Sequence, residues 1–448
     1  MKRLFLAFII WGVVSMVNGA EPQPLKLWGV DSNIDESLVP DYTLPDPLIK
    51  PDGTRISDAA QWEAYRPQLV DLMARDMYGL LPEVLRKSGN HPKFVTFSVQ
   101  EESSEAFSGK AIRRQVAVEF RDPETNQIRQ SASLLLYIPQ NATKPRPAFV
   151  GLNFKGNHTV CDDPAILIPE YADKRSAPAR GAGAERWPIE RILDAGFAVA
   201  TMYYGQIVFD RDITPDSYGP PIEGLFSIYS PYNEKSPRPA DGWGFISAWA
   251  YGLSRILDYL ETDADIDATR VAVVGHSRLG KTALWAGAMD TRFALIISND
   301  SGCGGAALNY REFGERVLLH NTVRPYWFCL NWKQYGNAVE TMPFDSHTLL
   351  ALLAPRPVYV ASATKDPFAD PRGEFLALVH AQGVYDLYGL KGLVDSAIPL
   401  TSKADSQIAL PVPNQSVGVH QRYHIREGKH DITSFDWEQY LKFAQEYL

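Results

Sequence analysis

Apolar residues form short runs that alternate with longer stretches of helical character over the second two thirds of the chain. The runs predict buried strands at Ala148–Asn153, Ala198–Met202, Val271–Val274, Leu295–Ser298, Val358–Ala361 and Tyr423–Arg426. The longer stretches predict helices at Pro188–Ala195, Trp243–Glu261, Lys281–Met289 and Ser434–Tyr447, the last with Ser434 as its cap. Alternation of this kind predicts βαβ units, and hence an α/β protein with a mainly parallel sheet covered by helices on both faces.

The first third of the chain has a different pattern. Strand-like runs at Phe94–Gln100, Arg114–Phe120 and Ser131–Ile138 predict an antiparallel edge to the sheet. Residues 21–92 are rich in Pro and Asp and contain one helical pattern, Trp62–Tyr78. We therefore expect 21–92 to be a segment that wraps over a catalytic domain formed by 93–448.

Two stretches interrupt the alternation, Tyr204–Asp241 and Gly304–Leu350, and both are rich in aromatic residues and Pro. Insertions after the strands of an open α/β sheet are where such proteins build their ligand pockets. We expect these two insertions to form the pocket.

The N-terminus predicts export. Lys2 and Arg3 precede the apolar run Leu4–Val17, and the small residues Gly19 and Ala20 follow it, which is the order of a signal peptide over 1–20. The run is short for a membrane span and no second one follows, so we expect a periplasmic or secreted protein without a membrane span. The net charge of −9 argues against a nucleic-acid partner. We also expect the protein to be a monomer.

Cysteine usage and the missing motifs exclude several classes of site. Cys161, Cys303 and Cys329 allow one disulfide at most, with Cys303–Cys329 the possible pair, and they cannot form a cysteine-rich zinc site. The chain has no P-loop, no G-x-G-x-x-G turn and no H-E-x-x-H. We therefore expect neither a metal nor an organic cofactor.

The strongest chemical signal is the segment Val271–Lys281, in which a buried strand runs through Gly275-His276-Ser277 into a helix. A serine at such a sharp turn exposes its Oγ, and the N–H of the next residue points to where an oxyanion would form. The second glycine of the usual G-x-S-x-G elbow comes one residue late, at Gly280. The alternative is an ordinary strand-to-helix turn with a capping serine.

A nucleophilic serine needs a histidine base, and the order serine, acid, histidine fits an elbow of this kind. His430 lies in a glycine-containing loop just before the last predicted helix. Of the other late histidines, His380 has helical surroundings, His424 falls in the predicted strand Tyr423–Arg426, and His420 has a less suitable context.

Three aspartates are candidates for the acid that orients the base. Asp366 follows the strand Val358–Ala361, and Asp300 follows the preceding strand. Asp370 is a weaker candidate, because Asp before Pro is a common turn residue.

Motifs beyond the elbow give the chain a specific resemblance. They are Gly275–Lys281, Ser301–Ala307, Arg311–Arg316, Trp327–Cys329, Asp370–Phe375 and Gly428–Asp431, spread over about residues 145–448. In this order they resemble bacterial members of carbohydrate esterase family 15, the glucuronoyl esterases. The resemblance implies an α/β-hydrolase fold, a three-layer sandwich.

The resemblance also implies roles for particular residues. Ser277 would be the nucleophile, His430 the base, and Arg278 an oxyanion stabiliser through its backbone N–H and its guanidinium. Lys281 and Glu315 match residues that bond sugar hydroxyls.

The chain departs from the family pattern at Asp300 and Phe368, and it differs from the fungal members at His276. Many members have a glutamate at the position of Asp300, and the shorter aspartate makes Asp366 our first choice for the acid. Phe368 stands where relatives have a tryptophan that packs on the sugar; Phe still stacks on a pyranose but offers less area and no N–H donor. His276 replaces a cysteine of the fungal enzymes and so removes a disulfide.

The activity we expect is hydrolysis of the ester between (4-O-methyl)glucuronic acid of xylan and an alcohol such as lignin, through an acyl-enzyme on Ser277. One alternative is another secreted carbohydrate esterase, such as an acetyl xylan esterase. A second, from a different class, is a non-catalytic carbohydrate-binding relative.

Overall fold

A computed structural model describes residues 25–86, 93–140, 145–170, 176–210, 223–230, 232 and 237–448 of the 448 in the chain. The predicted signal peptide, 1–20, lies outside these ranges. Within them, no helix combines the length and the apolar character that a membrane crossing requires.

Ten strands of the described residues form one sheet, in the order β11-β12-β10-β9-β8-β6-β7-β5-β4-β3. Six neighbouring strands, from β12 to β7, run parallel; β5, β4 and β3 continue the sheet antiparallel at one edge, and β11 pairs antiparallel at the other. The strands are β3 Val95–Ala106, β4 Ala111–Arg121, β5 Ile128–Pro139, β6 Arg146–Asn153, β7 Ala198–Tyr203, β8 Ile266–His276, β9 Leu295–Asn299, β10 Val358–Ala363, β11 Ser416–Gly418 and β12 Gln421–Arg426. A separate hairpin pairs β1, Leu25–Leu27, with β2, Val30–Ser32.

Helices cover both faces of the sheet and give it three layers. One apolar core contains α1, α5, α6, α8 and α9, and a second core on the opposite face contains α3 and α11. The helices are α1 Ala59–Met73, α2 Glu83–Arg86, α3 Ile189–Asp194, α4 Leu225–Tyr229, α5 Phe245–Leu260, α6 Arg278–Met289, α7 Val317–Val323, α8 Ser346–Ala351, α9 Pro371–Asp386, α10 Ser402–Asp405 and α11 Ser434–Tyr447. This is the α/β-hydrolase sandwich that the sequence predicts.

Each strand and helix predicted above is present, with ends that shift by a few residues. The hairpin β1–β2 was not predicted, because its strands are too short to produce a pattern. The predicted helix Trp62–Tyr78 ends as an α-helix at Met73 and continues as a π-helical turn, Ala74–Tyr78. The cap predicted at Ser434 is wrong: Thr433 caps α11, in a reciprocal pair with Asp436.

Helix α1 packs on the main body of the protein. Trp62, Tyr65, Leu69 and Met73 are buried in the larger core. Arg66 on the same helix is also buried and donates from Nε to the carbonyl of Leu352 at 2.8 Å and from Nη2 to that of Ala288 at 2.6 Å. These two carbonyls lie at the C-terminal ends of α8 and α6, where helical carbonyls lack partners within their own helix. A single side chain therefore joins α1 to both helices.

Candidate active site

The turn between β8 and α6 has the strained geometry of a nucleophile elbow. Ser277 has φ 59° and ψ −129°, and it is partly exposed. Its backbone N–H donates to the carbonyl of Asn299 at 2.9 Å. A Cβ on Gly275 would lie 1.9 Å from the carbonyl oxygen of Leu279, so only glycine fits where the first turn of α6 folds back over the strand.

The candidate catalytic residues meet because four parallel strands end at the same edge. Ser277 follows β8, Asp300 follows β9, Asp366 lies in the loop after β10, and His430 lies in the loop after β12. These strands are neighbours in the sheet. The imidazole of His430 lies 4.6 Å, between ring centroids, from that of His276, the residue just before Ser277. The carboxyl ends of an open parallel sheet are where α/β proteins place their sites.

His430 and Asp366 form a short hydrogen bond. Nδ1 of His430 lies 2.6 Å from Oδ2 of Asp366. The Asp366 side chain is 6% exposed, whereas His430 is 44% exposed and reachable from solvent. A carboxylate in this position fixes the imidazole with a proton on Nδ1 and leaves Nε2 to act as a base.

Asp300 lies close to this pair but has other partners. Its Oδ2 accepts from Nη2 of Arg426 at 3.4 Å and from the backbone N–H of Asp431 at 3.3 Å. Complete burial, together with the charges of Asp366 and Glu374, raises the pKa of Asp300 well above its usual value. Asp300 is therefore the less suited of the two to hold a negative charge beside the base.

Asp370, the weaker candidate acid, has a structural role instead. It is the N-cap of α9 and accepts from the N–H of Gly373 at 2.9 Å. Its second oxygen accepts from Nε of Arg311 at 2.8 Å. With both oxygens bound in this way, Asp370 does not orient His430.

The side chain of Arg278 is held at the start of α6 by residues of both predicted insertions. Its guanidinium forms an ion pair with Asp210, whose side chain is 4% exposed. Asp210 also accepts from Nε1 of Trp327 at 3.0 Å. The guanidinium lies 5.2 Å from the centroid of the Trp327 ring and 5.7 Å from that of Phe154.

Lys281 and Glu315 form a charged pair next to Arg278, in which Lys281 is buried and the side chain of Glu315 is 23% exposed. Nζ of Lys281 lies 3.7 Å from Oε2 of Glu315 and donates to the carbonyl of Ser301. Burial alone would raise the pKa of Glu315, but Lys281 and His320 outweigh it and lower that pKa to about 2. Glu315 is therefore ionised at neutral pH, and its N–H donates to the carbonyl of Phe368 at 2.8 Å. The loop that carries partly exposed Phe368 is thereby joined to the loop of Glu315.

The three cysteines are free and buried, so the possible bridge between Cys303 and Cys329 is not formed. Each thiol has its own partner: Cys303 donates to Oδ1 of Asn309, and Cys329 donates to the carbonyl of Arg75.

Within the described residues, Asp300, Asp366 and His430 also have oxygen and nitrogen atoms within 4.8 Å of one another. Such a group has room for a cation. The 2.6 Å bond between His430 and Asp366 accounts for the spacing of those two, and Asp300 is held by Arg426 and by the N–H of Asp431.

Comparisons with known proteins extend this picture. Residues 199–389 match the family model described as glucuronyl esterase of fungi. A carbohydrate esterase from an unknown prokaryotic organism is 44% identical over 93% of this chain and 92% of its own. The structure of a glucuronoyl esterase from Solibacter usitatus has 42% identity and a TM-score of 0.81, over 92% of this chain and 99% of that one.

The chain belongs to carbohydrate esterase family 15. It is a carboxylic ester hydrolase of the glucuronoyl esterase type. A more distant relative, a 4-O-methyl-glucuronoyl methylesterase from Wolfiporia cocos, is 27% identical over 79% of this chain and 75% of its own.

Three residues of this esterase site have contacts that sequence reasoning missed. Asp210 pairs with Arg278, as described above. His276, buried beneath His430, donates from Nδ1 to Oδ1 of Asn299 at 2.6 Å, and burial together with the charge of His430 lowers its pKa well below the usual value.

The third is Glu374, on α9. It accepts from the N–H groups of Ser301 and Gly302 and from the hydroxyls of Ser301 and Ser362, and burial raises its pKa to about 7. Glu374 and His276 both lie in or beside the motifs of the resemblance, which gives no role for Glu374. No local pattern marks Asp210.

Proposed function

We propose that this esterase hydrolyses the ester between the carboxyl group of (4-O-methyl)glucuronic acid on xylan and an alcohol such as lignin. The observation that carries the proposal is the His430–Asp366 pair beside the elbow serine, in a chain whose relatives are named for glucuronoyl esters. An acetyl xylan esterase uses the same kind of triad, but its acyl group is a methyl-sized acetyl, so the acyl side of its site does not have to hold a sugar ring.

The acylation step uses three residues at the ends of the strands. The Oγ of Ser277 attacks the carbonyl carbon of the uronate, and Nε2 of His430 takes the proton from the hydroxyl. Asp366, bound to Nδ1, stabilises the imidazolium that forms. As the tetrahedral intermediate collapses, the C–O bond to the alcohol breaks, and His430 returns the proton to the leaving oxygen.

Arg278 stabilises the oxyanion of this intermediate. Its backbone N–H is at the N-terminus of α6, where the helix dipole favours negative charge. Among the described residues, its side-chain Nε–H is buried and has no hydrogen-bond partner. A buried donor without a partner carries an energetic cost, and a carbonyl oxygen that gains charge would relieve it.

The uronate ring lies on the acyl side of the scissile bond. Lys281 supplies N–H donors and Glu315 supplies an acceptor, which together suit the vicinal hydroxyls of a pyranose. Phe368, in the loop joined to Glu315, supplies a face on which the ring stacks. Deacylation repeats the first step with water in place of the alcohol, and His430 is again the base.

We also propose that 1–20 is removed during export to the periplasm or the medium, and that 93–448 form the catalytic domain over which 21–92 wrap. N-terminal sequencing of the exported protein tests the first point, and limited proteolysis tests the second.

The experiment that tests the function compares two substrates. We expect hydrolysis of benzyl glucuronate and none of an acetylated xylo-oligosaccharide, with the activity lost in Ser277→Ala and kept in Ser98→Ala, a matched change on β3. Activity on the acetate alone would contradict the proposal. If neither substrate is hydrolysed but carbohydrate is still bound, a non-catalytic carbohydrate-binding protein would be favoured.

A further inference from the structure

Asp210 lies beside the candidate catalytic residues and takes no part in the acylation step described above. It follows β7 and the helical turn Tyr204–Gln206, and its side chain is 4% exposed. Burial of a carboxylate is costly unless it is paired and hydrogen-bonded. Both requirements are met here, by the guanidinium of Arg278 and by the Nε1–H of Trp327 at 3.0 Å.

These contacts leave the N–H donors of the Arg278 guanidinium in two different states. Nη1 is bound to Asp210, whereas Nε is buried and has no partner among the described residues. The rings of Trp327 and Phe154, at 5.2 and 5.7 Å, restrict the plane of the guanidinium. A guanidinium is a rigid fork, so holding one edge fixes the direction of the other.

We propose that Asp210 is a positioning residue that aims Nε of Arg278 at the developing oxyanion. The inference rests on the proposed function, in which Arg278 stabilises the tetrahedral intermediate. Without the carboxylate, the long side chain of Arg278 would sample several rotamers, and the donor would have to be reoriented during the reaction. Oxyanion stabilisation depends on donors that are already in place.

This role predicts a particular kinetic signature. The oxyanion exists only in the transition state and the intermediate, so losing its stabilisation lowers kcat and leaves KM nearly unchanged. Removing one oxyanion donor outright costs about 10²–10³ in kcat. In Asp210→Asn the donor is still present but poorly held, so we expect a loss of about 10-fold to 100-fold in kcat and a KM within about threefold of the wild type.

A double-mutant cycle distinguishes positioning from a merely structural effect. We expect Asp210→Asn to cost little further activity in an Arg278→Ala background, since the group that it positions is gone. The matched control is Asp258→Asn, which alters another buried aspartate paired with an arginine, Arg255 on α5, and should keep wild-type kcat. Thermal melting of each variant separates lost activity from lost folding.

The outcomes are distinguishable. If Asp210→Asn keeps kcat within twofold while Ser277→Ala is inactive and Arg278→Ala has lost about 10²–10³ in kcat, the inference fails and the proposed function stands. Full additivity of the two losses would also overturn it. If Ser277→Ala retains the activity, the proposed function itself fails. Should Asp210→Asn not fold, Asp210→Ser decides: it also removes the carboxylate that holds Nη1 of Arg278, and a kcat equal to wild type contradicts the inference.

Discussion

Replacing Asp366 by Asn tests which of the two aspartates serves His430. The substitution keeps the size of the side chain and removes its charge. The 2.6 Å bond to Nδ1 of His430 then joins a neutral amide to the imidazole. An amide oriented with its NH₂ toward Nδ1 would also favour the wrong tautomer, with the proton on Nε2, and such an imidazole cannot accept the proton of Ser277.

The size of the effect follows from the geometry. At an effective dielectric constant of about 20, unit charges about 4 Å apart attract by about 4 kcal/mol. The His430 side chain is 44% exposed, so water screens part of this attraction. We take about 3–4 kcal/mol for the loss of stabilisation of the imidazolium, which is a fall of about 10²–10³ in kcat/KM.

The neighbouring carboxyl of Asp300 limits the loss of activity in Asp366→Asn. The charge of Asp366 helps to raise the pKa of Asp300, so removing that charge lets Asp300 ionise more readily and partly replace it. We therefore expect Asp366→Asn/Asp300→Asn to be less active than Asp366→Asn. Asp300→Asn alone should keep kcat/KM within a few-fold, because His430 is bound by Asp366, whereas Asp300 is bound by Arg426 and by the N–H of Asp431.

The assay is initial-rate hydrolysis of benzyl glucuronate near neutral pH, with the melting temperature of each variant measured in parallel. The reasoning is refuted if Asp300→Asn loses more activity than Asp366→Asn while both variants remain folded.

Three further predictions concern the substrate side, the pH dependence of stability and the elbow. Lys281→Met should raise KM for the uronate ester about tenfold or more, because a charged hydrogen bond contributes about 1.5–3 kcal/mol; an unchanged KM would remove Lys281 from the sugar site. The pKa of Glu374 is raised from 4.5 to about 7 in the folded state, so its contribution to stability is fully present below pH 4.5 and is lost as the pH rises through 7. Between pH 4.5 and 8 the wild type should therefore lose unfolding free energy on the order of 3 kcal/mol through Glu374. Glu374→Gln should not show this loss. Denaturant titrations of both proteins at both pH values measure it. Gly275→Ala should abolish activity and lower the melting temperature, because its Cβ would overlap the carbonyl of Leu279; a fully active variant would show that the turn can relax.

The sequence was sufficient to predict most of the fold because the strands of a parallel sheet are continuous apolar runs. Val271–Val274 and Leu295–Ser298, for example, lie wholly within observed strands. The cap of α11 was missed by one residue because Thr433 and Ser434 have the same local chemistry, and only the contact with Asp436 distinguishes them.

Side chains whose role depends on distant contacts could not be predicted in this way. Asp210 and Arg278 are 68 residues apart and come together only when the loop after β7 meets the start of α6. The position of Asp370 after β10 makes it a candidate acid by sequence, whereas the approach of Arg311, 59 residues away, determines its role. The roles assigned to Ser277, His430 and Asp366 remain predictions that the experiments above test.

The way in which Arg66 joins α1 to the ends of α6 and α8 has a consequence for the order of events during synthesis. Helix α1 leaves the ribosome early, but the carbonyls that Arg66 binds belong to Ala288 and Leu352, more than 200 residues later. Until those residues have emerged, Arg66 lacks both carbonyls, and the core that Trp62 shares with α6 and α8 is incomplete. The early part of the nascent chain must therefore remain without its final packing, and avoid self-association, for most of the time that translation takes.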